Sequence, residues 1–156
     1  MSDDGFAVPD DLSGLDEPVD VALVVTPVAA PEPLAAACAL AGVAADAVPS
    51  AVGAIAVLRD AATGPDGAGA VSRLLRQVPV VLLQRREHEI SASQWVNGEQ
   101  ARDLPSGLVL AEAPAVLEDL LLGGAAASGV EGAVTSVGMS RFRAMRVLAA
   151  HRPRRR

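Results

Sequence analysis

The first third of the chain alternates between apolar runs of strand length and small-residue stretches of helical spacing. Val19 to Thr26 is a valine-rich run closed by Pro27, which is typical of a buried strand. A helix is predicted next, because prolines at 31 and 33 suit a first turn and Gly42 suits the left-handed position after a helix. Its narrow apolar face consists of Leu34, Ala37, Cys38 and Ala41. Residues 53–58 then predict a second buried strand.

The middle of the chain predicts a second helix followed by a third strand. The segment Thr63 to Gly69, TGPDGAG, indicates a loop before a second helix. That helix has apolar residues at i, i+3, i+4 and i+7, namely Val71, Leu74, Leu75 and Val78. Pro79 ends the helix, and the unbroken apolar run that follows predicts a strand up to Arg86.

A β-hairpin is predicted after the charged turn at residues 85–89. Ile90, Ala92 and Val96 alternate with Ser91, Ser93 and Trp95. The pair Asn97-Gly98 favours a two-residue type I′ turn, so a return strand is expected through residues 100–104. Residues 108–110 indicate one more short strand, and a helix is predicted from Pro114 to a stop at Gly123.

The last part of the chain is rich in glycine, alanine and arginine. Residues 124–138 have little to bury and predict a linker. Ser140 suits the cap of a final helix. We expect Phe142, Met145, Leu148 and Ala149 on one side of it and Arg143 and Arg146 on the other.

These elements predict an α/β fold, with α+β as the alternative. The order β-α-β-α, then a β-meander, a helix and a basic C-terminal helix, indicates a small single-layer mixed sheet. Four regions follow: an acidic arm over residues 1–18, an α/β domain over 19–123, a Gly/Ala-rich linker over 124–138, and an arginine-rich helix and tail over 139–156.

Composition narrows the class of protein. The 156 residues are 51% apolar, which excludes a chain that is disordered throughout, and the single cysteine excludes an internal disulfide. Lysine is absent, which GC-rich codons of a high-GC bacterium explain without a functional cause. The acidic start lacks an export signal, and prolines and acids interrupt every apolar stretch, so a cytoplasmic protein is expected.

Catalytic and cofactor motifs are not found. The TGPDGAG loop lacks the lysine of a phosphate-binding loop, and His88 has no second histidine four residues later to form a metalloprotease pair. Cys38 lies on an apolar helix face, which indicates a buried thiol, and Glu118 and Asp119 point about 100° apart on one helix. We therefore expect neither an enzyme, nor a cofactor, nor a metal site.

The distribution of charge along the chain is the basis of the functional hypothesis. Residues 1–20 hold seven acids and no base, whereas residues 141–156 hold seven arginines and no acid. We expect an interaction or regulatory module that binds a protein partner or a second copy of the chain. The candidate contact residues are Trp95, Arg141, Phe142, Arg143, Met145 and Arg146.

Two alternatives to a protein partner remain open for the tail. Nucleic-acid phosphate would be bound by Arg152, Arg154, Arg155 and Arg156, and an anionic membrane surface is the other polyanion. Docking of the tail onto the chain's own acidic arm is a further version of protein docking. Trp95 is expected on the wetter strand face, where either a partner or the last helix would cover it.

Overall fold

A seven-stranded antiparallel sheet organises residues 19–151, the part of the chain that the computed structural model describes. The strands are β1 (Val21–Val25), β2 (Ala45–Val48), β3 (Ile55–Leu58), β4 (Val80–Arg86), β5 (Glu89–Val96), β6 (Glu99–Leu104) and β7 (Val134–Thr135). Their order across the sheet is β6-β5-β4-β1-β3-β2-β7, and every neighbouring pair is antiparallel. The mixed α/β class is confirmed, although neighbouring strands are antiparallel throughout where a mixed sheet was expected.

Within the described residues, five α-helices cover the two faces of this sheet. They are α1 (Pro31–Ala41), α2 (Gly64–Leu75), α3 (Ser106–Ala111), α4 (Ala115–Leu122) and α5 (Arg141–Ala150). Alternation along β1 separates two cores, because Ala22 and Val24 point toward α1 and α2 whereas Leu23 points toward α4. The sheet is therefore the middle layer between helices on both sides, and α5 lies outside α1.

Helix α2 approaches the sheet through small residues. It begins at Gly64, so the predicted TGPDGAG loop is wrong: six of its seven residues form the start of the helix. The buried positions are Gly64, Gly67, Ala68, Gly69, Val71 and Ser72. Leu74 and Val78, assigned to the apolar face by spacing alone, are 44% and 41% exposed. A Cβ on Gly67 would come within 3.0 Å of Leu58 Cδ1, so close packing selects glycine over larger apolar residues here.

The predicted hairpin is confirmed. Asn97 and Gly98 have φ values of 52° and 89°, the two positive values that a type I′ turn requires. The Gly98 amide also donates to Ser72 Oγ of α2 at 2.8 Å, which ties the turn to the helix. The strand predicted at residues 108–110 is wrong, because these residues lie in helix α3, which begins at Ser106 after Pro105. Three apolar residues do not distinguish a helix from a strand.

Residues 124–138 form structure where a linker was predicted. They contain a 3₁₀ turn (Ala127–Gly129) and the edge strand β7, which pairs with β2. Ser136 Oγ accepts from the Ala45 amide at 2.9 Å and donates to the Val43 carbonyl at 2.7 Å. Small apolar residues of the segment, among them Ala127 and Val130, also pack against the core of the α4 side. Backbone pairing, one buried hydroxyl and small side chains leave no periodic apolar pattern in the sequence.

Candidate functional site

Helix α5 is held against α1 by small residues. Ser140 caps the helix, since its hydroxyl accepts from the Arg143 amide at 3.0 Å, as the sequence predicts. Ala144 has no exposed surface, and Val147 and Leu148 are half-buried beside it. On the α1 side six consecutive residues, 33–38, are buried, which requires cover on the side away from the sheet as well. Alanine on both helices permits this close approach.

The large apolar side chains of α5 face away from the fold. Phe142 is 71% exposed and Met145 is 61% exposed. At 100° per residue, Phe142 lies about 160° around the helix from the buried Ala144. The sequence predicts Phe142, Met145, Leu148 and Ala149 on one side of the helix and Arg143 and Arg146 on the other. This division is met only in part, because Leu148 is half-buried whereas the other three apolar residues are exposed. Arg146 lies over the Phe142 ring and so shares its side of the helix. The two helices are so close at Ala144 that no larger side chain fits between them, and Phe142 and Met145 therefore occupy the outer side.

Arginines surround these exposed apolar groups. Arg141, Arg143 and Arg146 are all exposed, and α5 itself contains no acid. The Arg146 guanidinium lies 5.5 Å from the centroid of the Phe142 ring, which is a cation–π contact. Arg141, Phe142, Arg143, Met145 and Arg146 thus form one outward surface, which we call the α5 face. Five of the six residues that the sequence indicates for partner binding are brought together here.

The sixth residue, Trp95, lies elsewhere. Its ring packs beside Gly69 of α2, where a Cβ on that glycine would be 3.6 Å from Trp95 Cζ3. The indole N–H donates to Ser93 Oγ at 2.9 Å, and the side chain is half-buried. Trp95 lines a shallow groove of about 300 Å³ with Arg73 and Asp66. The partial solvation predicted for Trp95 is confirmed, but α2 covers the ring and the last helix does not.

The residues considered for catalysis or metal binding are either buried in a helix or exposed in a turn. Cys38 is fully buried in α1, and burial raises the pKa of its thiol to about 12, which keeps the thiolate nucleophile out of reach at neutral pH. His88 lies exposed in the turn between β4 and β5, as expected. Within residues 19–151 no group of three or more His, Cys, Asp or Glu side chains could hold a metal ion.

A partly buried ion pair near the β7 edge of the sheet was missed by sequence reasoning. Asp46, 8% exposed on β2, accepts from Arg59 Nε and Nη2, both at 2.8 Å. Arg59 Nη2 also donates to Thr135 Oγ1 of β7 at 3.1 Å. Hydrogen bonds from Arg59 lower the pKa of Asp46 even though burial opposes the charge. The pair and its bond to Thr135 connect β2 and the end of β3 to β7, and β7 leads into α5. The sequence signal for the pair is a single acid between two alanines.

The structure places the α5 face but not the rest of the basic tail. Arg152, Arg154, Arg155 and Arg156, the candidates for polyanion binding, lie outside the described residues. None of the helices within residues 19–151 is long and apolar enough to cross a membrane. Comparisons with protein-family models, with curated proteins and with solved structures find no match to this chain.

Proposed function

We propose that this chain is a non-enzymatic interaction module that binds an acidic partner protein through the α5 face. The observation that supports this most strongly is the exposure of Phe142 and Met145 on a helix whose opposite side is fixed to α1 by Ala144. Phe142 and Met145 differ from singly exposed apolar residues because they are neighbours on one side of the helix and are bordered by arginines. Such groups on an ordered helix are typical of the centre of a protein interface.

The chemistry of the α5 face favours one kind of partner. Aromatic residues, methionine and arginine are enriched at interfaces, and all three occur here on one helix. A second copy of the chain is disfavoured, since two α5 faces would bring Arg141, Arg143 and Arg146 against the same three arginines. A helix with acidic residues around an apolar stripe would bury Phe142 and Met145 and pair the arginines at the same time.

Nucleic acid is the alternative, and it uses only part of the surface. Phosphates would pair with the arginines but would leave Phe142 and Met145 in water. The proposal also assigns no reaction to the chain. Its cysteine is buried in α1, and its ordered histidines at 88 and 151 lie on the β4–β5 turn and at the end of α5.

Binding of two defined probes to the full chain tests the proposal. The first is a synthetic helical peptide with leucine at i, i+3, i+4 and i+7 and glutamate at the other positions, and the second is a 20-base-pair DNA duplex. The variant Phe142→Ser with Met145→Ser removes the apolar part of the α5 face and leaves its charges. Leu108→Ser is the matched control, because Leu108 is 70% exposed on α3.

We expect the double variant to bind the peptide at least tenfold more weakly than the wild-type chain does, and the control to bind it equally well. That loss corresponds to about 1.4 kcal/mol, which is modest for two interface anchors. Tight DNA binding that is unchanged in the double variant, together with no peptide binding, would replace the proposal with the nucleic-acid alternative.

A further inference from the structure

We propose that residues 1–18 of the chain itself occupy the α5 face and compete with the partner for it. The competition rests on the proposed function, whereas the docking of the arm is a separate property of the chain. Three observations lead to it: the place where residue 19 joins the fold, the direction of α5, and the complementary charges of the two segments.

The chain enters the fold at the start of β1. The Asp20 amide donates to the Arg85 carbonyl at 2.8 Å, and the Asp20 carboxylate accepts from the Glu87 amide at 2.8 Å. Val19 packs against the core on the side of α1 and α2. Residue 19 is therefore fixed at the end of the sheet where β1 begins, on the face that α1 and α2 cover.

Helix α5 begins at the same end of the sheet. Strands β1 and β2 run in the same direction, because each is antiparallel to β3. Helix α1 connects them, so it starts at the end of the sheet where β1 ends and finishes at the end where β1 begins. The His151 ring nitrogen lies 3.8 Å from Glu32 at the start of α1, so the C-terminus of α5 is at the far end. Ser136, five residues before α5, donates a hydrogen bond to the carbonyl of Val43, which follows the C-terminus of α1. The start of α5 is therefore near the C-terminus of α1. Arg141, Phe142 and Arg143 thus lie at the end where residue 19 enters.

The arm matches the α5 face in composition. Residues 1–18 contain six acids and no base, with apolar Phe6, Val8, Leu12 and Leu15 between them. The α5 face supplies three arginines around Phe142 and Met145. Eighteen residues span up to about 60 Å when extended, several times the length of a five-residue strand. A groove at the same end of the fold is lined by Asp60 and Asp66, which repel an acidic segment.

Tethering makes even a weak contact effective. A segment attached by a short flexible connection has an effective concentration on the order of 1 mM at its docking site. An arm with an intrinsic dissociation constant of about 100 µM would then cover the α5 face in roughly nine chains out of ten and weaken partner binding about tenfold. Because ion pairs between exposed groups are screened over about 10 Å at 0.1 M salt, this inhibition should fall as salt rises.

Amide spectra of two full-length proteins test the docking without any partner. In the arm variant the six acids are replaced by their amides, Asp3→Asn, Asp4→Asn, Asp10→Asn, Asp11→Asn, Asp16→Asn and Glu17→Gln. The control variant neutralises acids on α4 and just before it, Glu112→Gln, Glu118→Gln and Asp119→Asn. We expect ¹H–¹⁵N shifts at residues 141–146 in the arm variant only, with both variants keeping the circular dichroism spectrum of the wild-type chain.

The competition is tested with the acidic peptide used for the proposed function. We expect the arm variant to bind it about tenfold more tightly than the wild-type chain at 50 mM salt, with the difference shrinking at 500 mM. Unchanged α5 amides in the arm variant would overturn the inference, even if both forms bind the peptide. Shifted α5 amides with no peptide binding by either form would instead support arm docking and refute the proposed function.

Discussion

Substitution of Gly53 by alanine should be the most damaging single-methyl change in the fold. Gly53 precedes β3 with a φ of 128°, a conformation that residues with a Cβ rarely adopt. A Cβ built there would lie 2.1 Å from the Thr26 carbonyl oxygen and 3.0 Å from Pro27 Cα. Both neighbours are backbone atoms, so no side-chain rotation can relieve the contact.

The structure gives the size of this effect. The positive φ alone costs about 1–3 kcal/mol. Moving the Thr26 carbonyl to an ordinary distance takes a shift of about 1 Å, which disturbs the bonds of the Thr26 amide and hydroxyl to the Ala54 carbonyl, at 3.1 and 2.8 Å. Losing one or two buried hydrogen bonds costs a further 1–3 kcal/mol or so. We expect a total of about 2–6 kcal/mol, or roughly 5–20 °C in melting temperature for a chain of this length.

Gly98→Ala is the matched control, measured in parallel by urea and thermal unfolding followed by circular dichroism. Gly98 also has a positive φ of 89°, but the nearest atoms to a new Cβ belong to the end of the Arg73 side chain, which can rotate away. Only the conformational cost of about 1–2 kcal/mol should remain. Equal destabilisation by the two substitutions would refute the close contact between Gly53 and the backbone of Thr26 and Pro27.

Three other predictions concern β2, α5 and α3. Asp46→Asn should lower the urea midpoint at pH 7; since the pKa of Asp46 is lowered in the folded chain, the difference from wild type should persist down to about pH 4 and shrink below it. Ala144→Glu places a carboxylate where no surface is exposed, so hydrogen exchange should show loss of protection over residues 141–150 while the strands stay protected. Gly107→Ala, at an open position in α3, should stabilise the chain by about 0.4–1 kcal/mol in urea unfolding, and a loss of stability would contradict the helix found there.

Local chemistry explains which elements could be predicted from the sequence. Asn97-Gly98, Gly42, Gly123 and Ser140 each specify a turn or a helix end through their own backbone or side-chain preferences, and all four occupy those positions in the structure. The valine-rich strands were also predicted, because burial on both faces requires a continuous apolar run. Each of these signals depends only on residues that are close together in the sequence.

The elements that could not be predicted depend on distant partners. Strand β2, Ala45–Val48, includes Asp46, whose burial makes sense only with Arg59 beside it. Helix α2 begins in a glycine-rich segment because the sheet lies close to Gly67. The orientation of α5 depends on the alanines of α1, so the pattern within α5 alone did not predict that Leu148 turns toward α1 or that Arg146 lies over the Phe142 ring.

Site-specific photo-crosslinking tests most directly the claim that the α5 face is the interaction surface. A benzophenone amino acid replaces Phe142 in the arm variant of the full chain, expressed in the organism from which the sequence derives, and Leu108 carries the same group in a control. We predict one discrete crosslinked product from position 142, containing a peptide rich in Asp and Glu, and none from position 108. Crosslinks to nucleic acid from position 142, or equal products from both positions, would contradict the account.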